Sequence, residues 1–343
     1  LRYGSKSSGT GISVKLKGDD PSAVNSLGYR IDDVKYGSTP CDNSTDCAQK
    51  CTADASCQGY TRSGGSVVTW GYLEYGGYDP LIHSDVTKIF SGGKSFHAIM
   101  YDGNLQSWGD STRGGAVQDG ISNVKDVVIN SYAAVALKSD GTVVGWGSKY
   151  DGGNPPAGLN NVTKVVASSD AMAALKSDGT VVAWGYNTNG GCDSGAGSTT
   201  YSCKPADLED VVDIFSNTNA FIALRSNGSI AAWGKLTGGG ADPDITSDVV
   251  SVHPSYYSVA VLKSDGSVQV WGDNEYGGCD SPDGSTAYIC KPTGLTGVTK
   301  IYKSKYGFAA LRADTTVVGC GDKNYAGDVP SCITDVVDIY NNL

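Results

Sequence analysis

The sequence contains no apolar run approaching the about 18 residues of a membrane-spanning helix, so no membrane span is expected. It has no cluster of Lys or Arg, and its formal net charge of −10 would repel a phosphate backbone. Nucleic acid is therefore not an expected partner. Histidine is scarce. His83, His97 and His253 lie apart with no carboxylate or cysteine at ligand spacing, which leaves no candidate metal site. His97 reads as a packed histidine. No nucleophile elbow, P-loop, dinucleotide fingerprint, zinc spacing or Asp-x-Asp-x-Asp-Gly calcium loop occurs. These absences predict a chain that is not an enzyme and uses no cofactor. Charged residues are only 18% of the total, a level that suits short strands and tight turns better than helices.

What the chain does have is glycine, 47 residues of it, placed in a repeat. The stretch Ala136-Leu-Lys-Ser-Asp-Gly-Thr-Val-Val-Gly-Trp-Gly147 puts an Asp-Gly pair between two apolar runs, the strongest short-range hairpin signal. Relatives of it recur, with Trp-Gly pairs at Trp70, Trp108, Trp146, Trp184, Trp233 and Trp271 and with Cys320-Gly321 in the seventh place. The spacings are 38, 38, 38, 49, 38 and 49 residues. Each repeat reads as three strands: one of the Asp-Val-Val-Asp-Ile type, one rich in alanine, and one ending in Trp. All three are apolar on both faces, as a sheet packed between two neighbours requires. Alanines at 98, 134, 173, 223, 260 and 309 keep the second strand thin, which would let sheets approach near a central axis. The repeats stack radially into an all-β, seven-bladed β-propeller over residues 58–343. The first hairpin (58–71) lacks a leading strand, and the last leading strand, Asp335–Tyr340, lacks a hairpin. Pairing the two would close the ring and leave no open sheet edge.

Ten cysteines favour disulfides and an oxidising compartment. Both long spacings carry an extra 11 residues and a cysteine pair 11 apart, Cys192/Cys203 and Cys279/Cys290. Each is expected to close a finger on a loop, a closure that contributes about 3 kcal/mol in the chain-entropy model. Cys320 and Cys332 remain as a local pair. Sequons at Asn43, Asn161 and Asn227 agree with a secreted or surface-displayed glycoprotein. The chain starts at Leu1 rather than Met, so an already removed signal segment is expected. Residues 1–57 stand outside the repeat, with alternating strand-like stretches at 11–17 and 29–36, and carry Cys41, Cys47, Cys51 and Cys57. Cys47 and Cys51 fall on one face of a short helix. A bridge between those two is disfavoured, and the other two connectivities stay open. This segment resembles the cysteine helix of PAN/apple modules, which bind proteins or glycans outside cells; a plain disulfide-stapled cap is the alternative reading.

Val261-Leu-Lys-Ser-Asp-Gly266 followed by Trp271-Gly-Asp-Asn-Glu-Tyr-Gly-Gly278 resembles the repeat of the regulator-of-chromosome-condensation propeller superfamily. The compact spacing is closer to its bacterial branch, which includes a propeller-type β-lactamase inhibitor. The resemblance implies a seven-bladed propeller whose loops contact a partner, and it implies no particular activity. Lys138, Lys176, Arg225, Lys263 and Arg312 share one position before the turn and read as solvated flanking residues rather than an anion-binding ring. The more informative surface is the loop after each Trp-Gly, with Tyr75, Tyr150, Tyr186, Tyr276 and Tyr325, and with Tyr201 and Tyr288 on the fingers. Aromatic rings on one rim can anchor a protein or stack on sugars. The expectation is a secreted interaction or structural protein with extracellular protein partners, including copies of itself, as a repeating subunit of a filament or matrix. A glycan-binding lectin and an inhibitor of a hydrolase are the alternatives.

Overall fold

The computed structural model describes residues 35–36, 39–40, 59–63, 66–70, 72–78, 80, 82, 86–116, 120–192, 197–278, 288–289, 294–322 and 335–339. The PAN/apple-like segment, the strand-like stretch at 11–17, His83, Cys279, Cys290, Cys332, Asn43 and Tyr325 lie outside these. Lys35–Tyr36 and Thr39–Pro40 form a two-residue ladder, and Gly59–Ser63 pairs with Ser66–Trp70 as a hairpin. Six antiparallel sheets then follow in chain order. Sheet A is Val86–Ser91, Ser95–Met100 and Leu105–Gly109; sheet B is Val124–Ile129, Ala133–Lys138 and Val143–Gly147. Sheet C is Val162–Ala167, Ala171–Lys176 and Val181–Gly185, and sheet D is Val211–Ser216, Ala220–Arg225 and Ile230–Lys235. Sheet E is Val249–Pro254, Ser258–Lys263 and Val268–Gly272, and sheet F is Val298–Ser304, Gly307–Arg312 and Val317–Asp322.

Each sheet is a leading, middle and outer strand in sequence order. In all six the leading strand carries a β-bulge after its first valine. The bulge resets the alternation, so that Val162 and Val165 both point into the core while Lys164 does not. Three of the bulge residues are threonines whose hydroxyls donate across to the middle strand: Thr87 to Ile99 O, Thr163 to Leu175 O and Thr299 to Leu311 O. The Asp-Gly turns form as expected, with the aspartate accepting from the amide two residues on, as Asp140 does from Thr142 at 2.9 Å.

The core is a series of interfaces rather than one mass. Separate buried clusters join the hairpin to sheet A, A to B, B to C, C to D, D to E and E to F. Between C and D, Leu175 and Val181 meet Val211, Ile214, Phe221 and Trp233. Burying each large side chain of this kind contributes about 1.5–3 kcal/mol, so no sheet is stable without its neighbours. Leading strands of successive sheets pack on one another, which places them innermost. The alanines therefore sit one strand out from the axis, where facing sheets press together.

The finger closed by Cys192–Cys203, with Cα atoms 4.8 Å apart, does not project freely. Its Tyr201–Ser202 pairs with Gly234 and Lys235 as a fourth strand on the outer edge of sheet D. Tyr288–Ile289 does the same on sheet F, against Gly321 and Asp322. Cys320 occupies the tryptophan position of sheet F, buried and opposite Phe308.

Candidate functional site

The Trp-Gly motif explains how one face is built. After the outer strand of each of sheets A to E the chain makes a single 3-10 turn ended by a left-handed glycine. The indole one sheet further on donates to that glycine's carbonyl: Trp146 to Gly114 O (2.8 Å), Trp184 to Gly152 O (2.8 Å), Trp233 to Gly190 O (3.0 Å) and Trp271 to Gly239 O (2.9 Å). The glycine after each Trp is forced by close approach. At Gly147, φ is +89° and an added Cβ would lie 2.6 Å from Tyr132 O. Tryptophan is thus the staple between sheets, and it sets each loop against the next sheet's turn between leading and middle strands.

Side chains from these two sources meet with different chemistry at several of the described junctions. Lys94 lies over the ring of Tyr75 at 4.3 Å, and Arg113 over Tyr132 at 4.6 Å. Within sheet C, Asp170 accepts from Asn189 at 2.9 Å. Burial, with the charge of Asp151 second, raises the pKa of Asp170 above the ordinary carboxylate range. At sheets E and F the junction is aromatic. Tyr256, Tyr276 and Tyr306 form a row, with centroids 6.2 and 5.4 Å apart and planes 27° and 31° from parallel. Tyr257 meets Tyr276 edge-on at 4.7 Å. The Lys305 ammonium sits 5.0 Å from the Tyr256 ring and 5.1 Å from that of Tyr306. Burial first, and neighbouring phenols and Asp273 after it, push the Tyr257 and Tyr276 hydroxyls above their usual pKa. They are neutral donors and acceptors across the physiological range.

The family model described as the regulator of chromosome condensation (RCC1) repeat matches residues 162–190, which include all of sheet C. Sheet C is thus similar to one such repeat, and all six sheets have the antiparallel form of β-propeller blades. Among solved structures, yeast RCC1 (Prp20) bound to Kap60 is similar at 18% identity and a TM-score of 0.44, over 68% of this chain and 69% of that one. Prp20p from Saccharomyces cerevisiae is similar at 16% and 0.45, over 68% and 71%. The ectodomain of the Physcomitrella patens receptor kinase CR4 is similar at 16% and 0.43, over 73% and 64%. No curated protein matches the chain.

On the propeller, the rim tyrosines separate into classes. Tyr276 belongs to the aromatic row and Tyr75 to the Lys94 junction, 5.7 Å from Tyr72. Tyr150 and Tyr186 stand exposed, at 71% and 53%. Tyr201 is half-buried on the finger strand, and Tyr288 pairs through its backbone with Asp322. Asn161 and Asn227 are both exposed, and Asn227 Oδ1 accepts from Ser229 N. Lys138 and Lys176 pair with the aspartate of their own turn at 3.7 and 3.0 Å, and Arg312 donates to Thr296 O. These three are engaged locally, in keeping with a turn-flanking role. His97 is fully buried between Ser95 Oγ and Ser107 Oγ, at 3.2 and 2.6 Å. Tyr256, Tyr257 and Tyr306 escaped the sequence reading because they lie in the turn before the middle strand, not in the Trp-Gly loop. Their signal was available in register: Lys94, Tyr132, Asp170, Asn219, Tyr257 and Tyr306 hold one repeat position.

Proposed function

We propose that the chain is a secreted, non-enzymatic interaction protein whose aromatic rim contacts other protein chains, including copies of itself in an extracellular filament or matrix. One observation carries the reading: four tyrosines from two blades gather on one face, with Tyr256 39% exposed. A junction needing only stability uses one pair, as at Tyr75–Lys94; a cluster of rings at the surface is the composition of an interface centre. The Cys192–Cys203 bridge supports an oxidising compartment. Electron microscopy and sedimentation of the non-reduced protein over a range of concentrations test the assembly. Filaments or closed oligomers that disperse in the double variant Tyr256→Ser/Tyr276→Ser, with an unchanged circular dichroism spectrum, are expected. Single rings at every concentration would overturn it. The near-parallel row Tyr256–Tyr276–Tyr306 favours one second reading, stacking on sugar rings; a glycan array without a binder above background would remove it.

We infer further that the ring has seven blades and is closed by residues 335–339, which supply the leading strand of the Gly59–Trp70 hairpin. Two repeated contacts support this. Val336 N donates to Thr315 O as Val124 N does to Gly103 O, Val162 N to Gly141 O and Val298 N to Gly266 O. Lys300 meets Asp338 at 3.4 Å, as Lys88 meets Asp126 and Lys164 meets Asp213. Val336 and Asp338 therefore hold the first and third positions of a leading strand.

A further inference from the structure

One turn departs from the chemistry of its repeats. The turns between middle and outer strands carry Asp102, Asp140, Asp178, Asp265 and Asp314 in five sheets, and Asn227 in sheet D. All six side chains accept from the amide two residues on, at 2.8–3.0 Å. In four of the aspartate turns the hydroxyl of that later residue donates as well: Thr142, Thr180, Ser267 and Thr316. Those hydroxyls, first among the causes, hold the four carboxyls below the ordinary carboxylate range. The position is built for a carboxylate, and in sheet D the residue two on is again a hydroxyl, Ser229.

Asn227 is followed by Gly228, and such a pair is chemically labile. Glycine has no Cβ to keep its amide nitrogen away from the preceding side-chain carbonyl. The chain has two Asn-Gly pairs, and the fold treats them in opposite ways. Asn189 is 8% exposed, and its amide nitrogen donates to Asp170 Oδ2 at 2.9 Å and to Thr218 O at 3.4 Å. Asn227 lies exposed at the tip of its turn, where local opening costs least. The Ser229 N–H on Asn227 Oδ1 draws electron density from the side-chain carbonyl carbon and so prepares it for attack. Gly228 N is held by Arg225 O at 2.9 Å, so the attack waits on a fluctuation of the turn.

We propose that Asn227 is a site of spontaneous deamidation, independent of whatever the rim binds. Gly228 N attacks Asn227 Cγ and gives up its proton to solvent. The bond from Cγ to the side-chain nitrogen breaks, and ammonia leaves. Water then opens the cyclic imide, at the side-chain carbonyl to give aspartate or at the backbone carbonyl to give isoaspartate. The aspartyl product is the acid that the other five turns already carry. The test incubates the folded full chain, in a preparation without glycan at Asn227, in heavy-oxygen water at mildly alkaline pH. Peptide mapping by mass spectrometry follows residues 189 and 227. Heavy oxygen is expected to enter at 227 faster than at 189 by about tenfold or more, the ratio of an exposed turn to a buried one. The variant Asn227→Gln, whose longer side chain cannot close the same ring, is expected to lose the label there. An Asn227 that stays unlabelled in the folded chain, over a time in which the denatured chain takes up label at both pairs, overturns the assignment. So does equal labelling of 189 and 227 in the folded chain, or a label at 227 undiminished in Asn227→Gln.

Discussion

Trp184 and Trp108 are the same residue in the same repeat position, yet they do different work. The Trp184 indole donates to Gly152 O, whereas Trp108 Nε1 is buried without a hydrogen-bond partner. Replacing Trp184 by Phe removes a donor and leaves a buried carbonyl unsatisfied, a cost of about 1–3 kcal/mol plus the lost ring area. Trp108→Phe loses ring area alone, and it also removes a buried polar group with no partner. Chemical denaturation should therefore find Trp184→Phe the more destabilised by about 1 kcal/mol or more; equal losses would show that the indole hydrogen bond is not the staple. His97 makes a second residue-scale case. Burial lowers its pKa from 6.5 to about 3, so the unfolded chain binds a proton that the folded chain refuses. Its contribution is intact above pH 6.5 and is lost on acidification towards pH 3, at a slope of about 1.4 kcal/mol per pH unit. His97→Val, which installs the residue found at the equivalent Val135, should flatten that limb of the stability curve. An unchanged slope would mean that the histidine is not held neutral.

At the level of elements, the finger shows where local sequence stops being informative. A cysteine pair 11 residues apart announces a closed loop, and the loop is there. That it lies down as a fourth strand depends on Leu236 N reaching Thr200 O at 3.0 Å and Ser202 Oγ reaching Gly240 O at 2.6 Å, contacts between segments 36 and 38 residues apart. If the bridge holds the strand in place, Cys192→Ser/Cys203→Ser should cost about 2–3 kcal/mol. Hydrogen exchange at Leu236 should also lose its protection while the middle strand of sheet D keeps its own; protection that survives at Leu236 would show that the edge pairing stands without the disulfide. The same reasoning separates the legible from the illegible elsewhere. Asp-Gly turns and the three-strand unit could be read because a turn is decided by its own four residues. The bulge after each leading valine was not, since it depends on pairing across to the middle strand. The tyrosine cluster was legible only at Tyr276, because Tyr256, Tyr257 and Tyr306 join it through the packing of one blade on the next.

For the molecule as a whole, the alternating inner charges bear on how many blades there are and how the ring closes. A ring with an odd number of positions cannot alternate in sign all the way round; one position must be neutral or two like charges must meet. In the proposed seven-bladed ring, Ser251 is that neutral position. With Asp338 counted as the third residue of the hairpin blade, the order becomes Asp338, Lys88, Asp126, Lys164, Asp213, Ser251, Lys300. Every charge then has an opposite partner beside it in the observed pairs Lys88–Asp126, Lys164–Asp213 and Lys300–Asp338. Both members of the last pair answer to each other: Asp338 raises the Lys300 pKa, and Tyr302 and Lys300 lower that of Asp338. These groups are exposed, so each pair contributes little to stability; their value is in registry, because like charges would meet if a blade were skipped or added. Two variants follow. Asp338→Lys should lower the melting temperature, and the double variant Lys300→Asp/Asp338→Lys should recover most of it. A truncation after residue 334 tests closure more directly. If residues 335–340 complete the hairpin blade, amide exchange should rise across Gly59–Ser63 and fall away with distance into blade A. Exchange at 59–63 indifferent to the truncation would mean that the hairpin takes its third strand from elsewhere and that the ring closes by another route.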